Sequence, residues 1–132
     1  MCLPLKIVEL EFTVLQFYPN YVFSQPREGQ VLEGKKMTDL VEACSSFYNG
    51  KYYVYLANRI NDYNVNPTVN LNLHKEKNLA GVGIICKKES AFKSATFEKQ
   101  FSKIPYEIFR DLESALKWVN NLIAEKNKKA DL

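Results

Sequence analysis

Between Met37 and Tyr48 the apolar side chains return every three or four residues. Met37, Leu40, Val41, Cys44, Phe47 and Tyr48 fall on one stripe, the pattern of a helix with a single buried face. Thr38 or Asp39 is placed to cap its start, and Gly50 to end it in a left-handed turn. The same spacing predicts a helix in DLESALKWVNNLIAEKNKK. There Leu112, Ala115, Leu116, Val119, Leu122 and Ile123 align, Asp111 stands at the N-cap and lysines gather at the end. Trp118 flanks that stripe as a partly buried cover. SAFKSATFEKQF predicts a third helix, capped by Ser90, with a less regular stripe through Phe92, Ala95 and Phe101 and with Phe97 off the line.

The remaining apolar runs read as strands. KIVELEFTVLQF alternates, with Ile7, Glu9 and Glu11 on one side and Val8, Leu10 and Phe12 on the other, which predicts one first strand. A turn at Pro19 and Asn20 leads into YVFSQ, and the two form an antiparallel hairpin. Residues 30–32 can hold a short extended piece. KYYVYLAN is rich in tyrosine and valine and suits the inside of a sheet. NLAGVGIICKK has a continuous apolar centre, the mark of a buried strand. YEIF, after Pro105, is a short last strand. Residues 59–77 carry no clean period. Strands alternating with helices over so short a chain predict a small α/β sheet with crossover connections.

Composition narrows the classes. The chain has 132 residues, enough for one domain with its own core, here residues 1–125 followed by a short basic tail at 126–132. A net charge of +3 is modest, and the lysines collect in turns and at helix ends. Neither is the stripe that nucleic acid demands. Three widely spaced cysteines and no CxxC pair argue against a disulfide framework and fit a reducing compartment. One histidine, His74, is too few for a zinc site, and no cofactor or metal is expected. Charges at Lys6, Glu9 and Glu11 interrupt the first apolar residues, so neither a signal peptide nor a membrane span is expected and the default location is cytoplasmic.

Candidate chemistry is sparse. RINDYNVNP follows an apolar strand, where open α/β sheets place ligands. Asn58, Arg59, Asp62, Tyr63 and Asn64 therefore form the candidate binding loop. Arginine offers a fork for carboxylate or phosphate. Asparagine and aspartate also build turns by bonding nearby backbone, and Arg59 can pair with Asp62, so the loop can equally be self-supporting. Gly81 and Gly83 sit inside a buried strand, where they allow a bend or a close approach and can border an apolar cavity. They lack the GxGxxG spacing of a dinucleotide site. His74 lies among lysines, Cys44 is on a core stripe, Cys86 ends a buried strand, and Glu9 and Glu11 share a solvated strand face. No nucleophile has a base beside it, and no catalytic residue is expected.

The close of the chain resembles a known family. Ile108 and Phe109 in a short strand, then Ala115, Trp118 and Val119 in the terminal helix, together with IICKK feeding a helix, resemble the STAS or SpoIIAA-like domains over residues 5–125. The small single-domain bacterial members are the nearest in layout. The resemblance implies a small mixed sheet of four to five strands with about three helices packed mainly on one face. It also implies a non-enzymatic protein-interaction or signalling module with a protein partner. Family members switch by phosphorylation of a serine after a central strand, but RINDYNVNP holds no serine or threonine before Thr68. Two other roles stay open: a small-ligand or lipid-binding domain taking an apolar molecule, and a self-associating structural protein such as a homodimer.

Overall fold

The computed structural model describes residues 3–61, 63–66 and 76–130, and side chains as far as residue 129. The elements run β1 (Lys6–Glu9), β2 (Thr13–Phe17), β3 (Tyr21–Pro26), β4 (Val31–Leu32), α1 (Lys35–Tyr48), β5 (Tyr53–Asn58), β6 (Asn64–Val65), β7 (Leu79–Ile85), α2 (Glu89–Lys99), β8 (Tyr106–Phe109) and α3 (Leu112–Ala130). Six strands form one sheet in the order β1-β2-β3-β5-β7-β8. The first three are antiparallel, and β3, β5, β7 and β8 are parallel. β4 and β6 make a separate two-stranded parallel sheet. The class is the expected mixed α/β sheet, with more strands than the four or five read from the sequence.

The extra strands have clear origins. KIVELEFTVLQF is not one strand: it folds back at Glu11 and Phe12, where the Leu10 N–H donates to the Thr13 carbonyl at 2.8 Å. No glycine, proline or asparagine marks this turn. Phe12 instead drives it, its ring buried in the core at 4% exposure. β4 and β6 are two residues each, too short to show alternation, and they find each other across more than thirty positions.

The sheet has helices on both faces. α1 and α2 share one, as expected of most of the helices. Leu40, Cys44 and Tyr48 of α1 and Ala95 of α2 bury against Leu15, Phe17, Val22, Tyr53, Ala57, Val82 and Ile84. Tyr48 stacks on Tyr53 (4.5 Å between ring centres), and its hydroxyl donates to the Tyr18 carbonyl at 2.8 Å. α3 covers the other face through Ala115, Val119 and Ile123 on Val54, Leu56, Ala80 and Ile85. β5 and β7 lie between the two layers, which is why their sequences show little polar alternation.

Gly81 and Gly83 explain how α3 sits so close. A Cβ on Gly81 would stand 2.8 Å from Leu122 Cδ2 and 3.0 Å from both the Pro105 carbonyl oxygen and the Trp118 ring. One on Gly83 would stand 2.6 Å from Leu56 Cδ2. Trp118 lies half-buried over this strip, 5.5 Å from the Phe109 ring. The helix ends follow local chemistry. Asp111 caps α3 by accepting the Ser114 N–H at 2.7 Å. α1 ends with Asn49 in the left-handed region (φ 46°), followed by Gly50 (φ 93°). Thr38, Asp39 and Ser90 do not cap: α1 starts earlier, after Gly34, and α2 starts after Lys88, neither with a side-chain cap. Lys126, Lys128 and Lys129 belong to the last turns of α3.

Candidate functional site

The loop after β5 is built from the ladder outward. The Arg59 N–H donates to the Ile85 carbonyl at 2.8 Å, carrying the β5–β7 pairing one residue past the strand. The side chain then turns inward and is only 5% exposed. Its Nη1 meets Glu98 Oε1 of α2 at 2.9 Å, and its Nη2 donates to the Tyr63 carbonyl at 3.2 Å. The guanidinium also lies 4.7 Å from the centre of the Tyr63 ring, within cation–π range. Burial pushes the Glu98 carboxyl above its ordinary range, while hydrogen bonds from Arg59 and Tyr106 pull it back. Burial works to lower the Arg59 pKa, and Glu98, Tyr63 and Tyr106 together more than reverse it. A buried charge stripped of its partner is costly, so this pair fastens the loop to α2.

The five candidate loop residues therefore separate. Arg59 and Tyr63 turn into the protein, Tyr63 at 6% exposure. Asn58 belongs to the sheet face that carries α3, its Nδ2 donating to Gln25 Oε1 at 3.5 Å. Asn64 is exposed in β6, its N–H given to the Gln30 carbonyl at 2.9 Å. Asp62 lies outside the described residues, so the pairing weighed for Arg59 there is not addressed; Glu98 is the partner seen. Glu98 carried one signal in the sequence: it stands three positions after buried Ala95, a lone acid in line with a core residue.

Three hollows meet at this pair. A polar cleft of about 380 Å³ is bordered by Arg59, Asn61, Asn64, Ser90 and Ser94. Beside it a groove of about 390 Å³ runs between β6 and α2, lined by Asn64, Val65, Lys93, Ser94, Phe97 and Glu98. Phe97 is 53% exposed on its wall, and Val31 of β4 is exposed nearby in sequence register with Asn64. Between α1 and the sheet is a smaller apolar cavity of about 50 Å³. Gly81 and Gly83 do not border it, because they face α3 on the opposite side of the sheet.

Among the described residues the remaining candidates hold no reactive arrangement. Burial, then the charge of Glu76, pushes the Cys44 thiol up to about 12, and burial also raises Cys86; neither thiol is poised as a nucleophile. Glu9 pairs with Arg27 at 2.9 Å on the surface. His74 and Cys2 lie outside the described residues. Among the described residues no group of three or more His, Cys, Asp and Glu side chains could hold a metal ion, and no helix is long and apolar enough to cross a membrane.

No family model matches the sequence, and no curated protein matches it. Solved structures do match in shape, among them an uncharacterised protein of the DUF3478 family, with a SpoIIAA-like fold, from Shewanella loihica. The two superpose with a TM-score of 0.55 at 17% identity, over 86% of this chain and 90% of the other. Identity that low carries the architecture alone, and on that footing the present chain has a SpoIIAA-like fold.

Proposed function

We propose that the protein is a non-enzymatic interaction module that binds an extended segment of a partner protein in the groove between β6 and α2. The observation that carries this reading is the half-exposed Phe97 ring on the groove wall, above a base made rigid by the buried Arg59–Glu98 pair. In the β4–β6 ladder Asn64 and Asn66 donate their N–H groups to the carbonyls of Gln30 and Leu32. The peptide edge of Val65 is thereby turned away from β4, towards α2. An extended segment laid there can add main-chain hydrogen bonds at Val65 and rest an apolar side chain on Phe97. The candidate loop acts in this reading as support: Arg59, held by the Tyr63 carbonyl, braces Glu98 in the groove lining, and Asn64 belongs to that lining. With no serine or threonine between Asn58 and Asn66, a phosphorylation switch in that stretch has no place in the scheme.

The test compares wild-type protein with Phe97→Asp as baits in cells of the source organism. Wild type should recover a stoichiometric partner, and F97D should lose it while keeping the wild-type melting temperature, because the ring is half in solvent. Equal recovery by both baits, or a reproducible catalytic activity with no partner, would overturn the reading.

A further inference from the structure

β1 is one edge of the six-stranded sheet, and that edge is open. The Leu10 N–H donates to the Thr13 carbonyl, and further along β1 Val8 lies opposite Leu15 and Lys6 opposite Phe17. Hydrogen-bonded pairs alternate along an antiparallel ladder, so Leu10, Val8 and Lys6 turn their peptide groups towards β2. Ile7 and Glu9 turn theirs outward, off the sheet. Among the described residues no backbone group takes them up. The side chains beside this edge are apolar and wet: Leu5 is 65% and Ile7 58% exposed. Ile7 is on the α3 face, in line with Gln16, Phe23 and Leu56 across the sheet, but α3 lies over β5, β7 and β8. Natural sheets cover or break such an edge, because it is a template for another strand. Here residues 6–9 hold no proline, and their register with β2 is unbroken.

The strand fits a second copy of itself. Two β1 strands related by a two-fold axis normal to the sheet pair antiparallel, with residues of the same facing set opposite one another. Centring the pair on Lys6 or on Glu9 would put two lysines or two glutamates face to face, which is destabilising. Centring on Ile7 leaves Glu9 opposite Leu5, whose N–H already goes to the Phe17 carbonyl. Centring on Val8 sets Ile7 of each copy opposite Glu9 of the other. Both of these are hydrogen-bonded pairs, so every outward N–H and C=O of Ile7 and Glu9 finds a partner. The two Val8 side chains meet at the close, non-hydrogen-bonded position, which suits a β-branched pair. Lys6 then lies opposite Leu10 and not opposite a cation. Glu9 carries its own cation, Arg27 at 2.9 Å, which shields the two carboxylates where they come diagonally near.

We propose that β1 is a homodimer edge, at which two copies join antiparallel about Val8 into one continuous sheet. A ladder this short falls below the about 1,600 Å² of a standard interface, so the association is reversible and rises with concentration. None of the paired residues lines the β6–α2 groove, so the inference stands apart from the partner proposed there.

Sedimentation equilibrium of the whole chain should show the average mass climbing from one chain to two as concentration rises. Ile7→Asp sets a carboxylate directly opposite Glu9 at an exposed position. It should remain a monomer with the wild-type circular dichroism spectrum. Cross-linking in a Cys2→Ser background reads the register. Val8→Cys should form an intermolecular disulfide under mild oxidation, because directly opposed Cα atoms are within disulfide reach. Ile7→Cys, whose two copies are only diagonal neighbours, should not. The proposal falls if wild type stays a monomer up to about 1 mM, as it would were the edge kept for a strand of a different protein. It falls too if Ile7→Asp dimerises as wild type does, or if Val8→Cys cross-links no faster than Ile7→Cys. If Ile7→Asp does not fold, absence of the Val8→Cys disulfide overturns the proposal on its own.

Discussion

At the scale of the residue, two glycines decide how near a helix can come. Gly81 and Gly83 are two apart on one face of β7, and the missing side chains form the strip on which Trp118 and Leu122 rest. Alanine at position 81 would press on Leu122, on a backbone carbonyl and on the tryptophan ring together. Gly81→Ala is therefore expected to cost about 1–3 kcal/mol as an overpacked site, despite alanine's better fit to a strand. Urea unfolding measures the loss. Adding Leu122→Ala removes only the nearest of the three contacts, so it should not restore wild-type stability. An unchanged midpoint for the single variant would show that α3 is free to lift away. A close approach was one of two readings of glycines two apart inside an apolar strand, a bend being the other. That the neighbour is a helix and not a ligand was not readable, because nothing local to NLAGVGIICKK says what lies above it.

At the scale of the element, the buried Arg59–Glu98 ion pair ties the loop after β5 to helix α2. Arg59→Met removes the cation that faces the buried Glu98 carboxylate, and should cost about 3–5 kcal/mol by urea unfolding. The double variant Arg59→Met/Glu98→Leu removes both charges and should recover most of that loss. A single-variant loss below about 1 kcal/mol, the range of exposed pairs, would mean that water reaches the site. The helices were visible in the sequence because a stripe at helical spacing survives any tertiary arrangement. α1, α2 and α3 all stand where the pattern placed them, to within a turn. The connections were less visible. The β1–β2 turn hides its signal because Phe12 serves the core. Glu98 lies 39 positions from Arg59, so local reasoning supplied Asp62 as the natural partner instead. An amphipathic stripe also states that one side of a helix is buried, but not which side of the sheet receives it. α1 and α3 therefore looked alike in sequence and lie on opposite faces.

At the scale of the whole molecule, one sheet supports two separate cores. Trp118, the single tryptophan, belongs to the core under α3, whereas the stacked Tyr48 and Tyr53 belong to the one under α1. Because β5 and β7 supply side chains to both, neither core can dissolve and leave the other a sheet to rest on. Tryptophan fluorescence and the near-ultraviolet circular dichroism of the tyrosines should fall with one common urea midpoint. Two separated midpoints would mean that the faces unfold independently. The backbone of β5 and β7 is meanwhile a partition as well as a tie. Injuries on opposite sides of it share no touching side chains, so a change at Val119 and one at Leu40 should simply add. An engineer could restyle the α3 side wholesale, for stiffness or for attachment to a surface, and leave the hollows across the wall undisturbed.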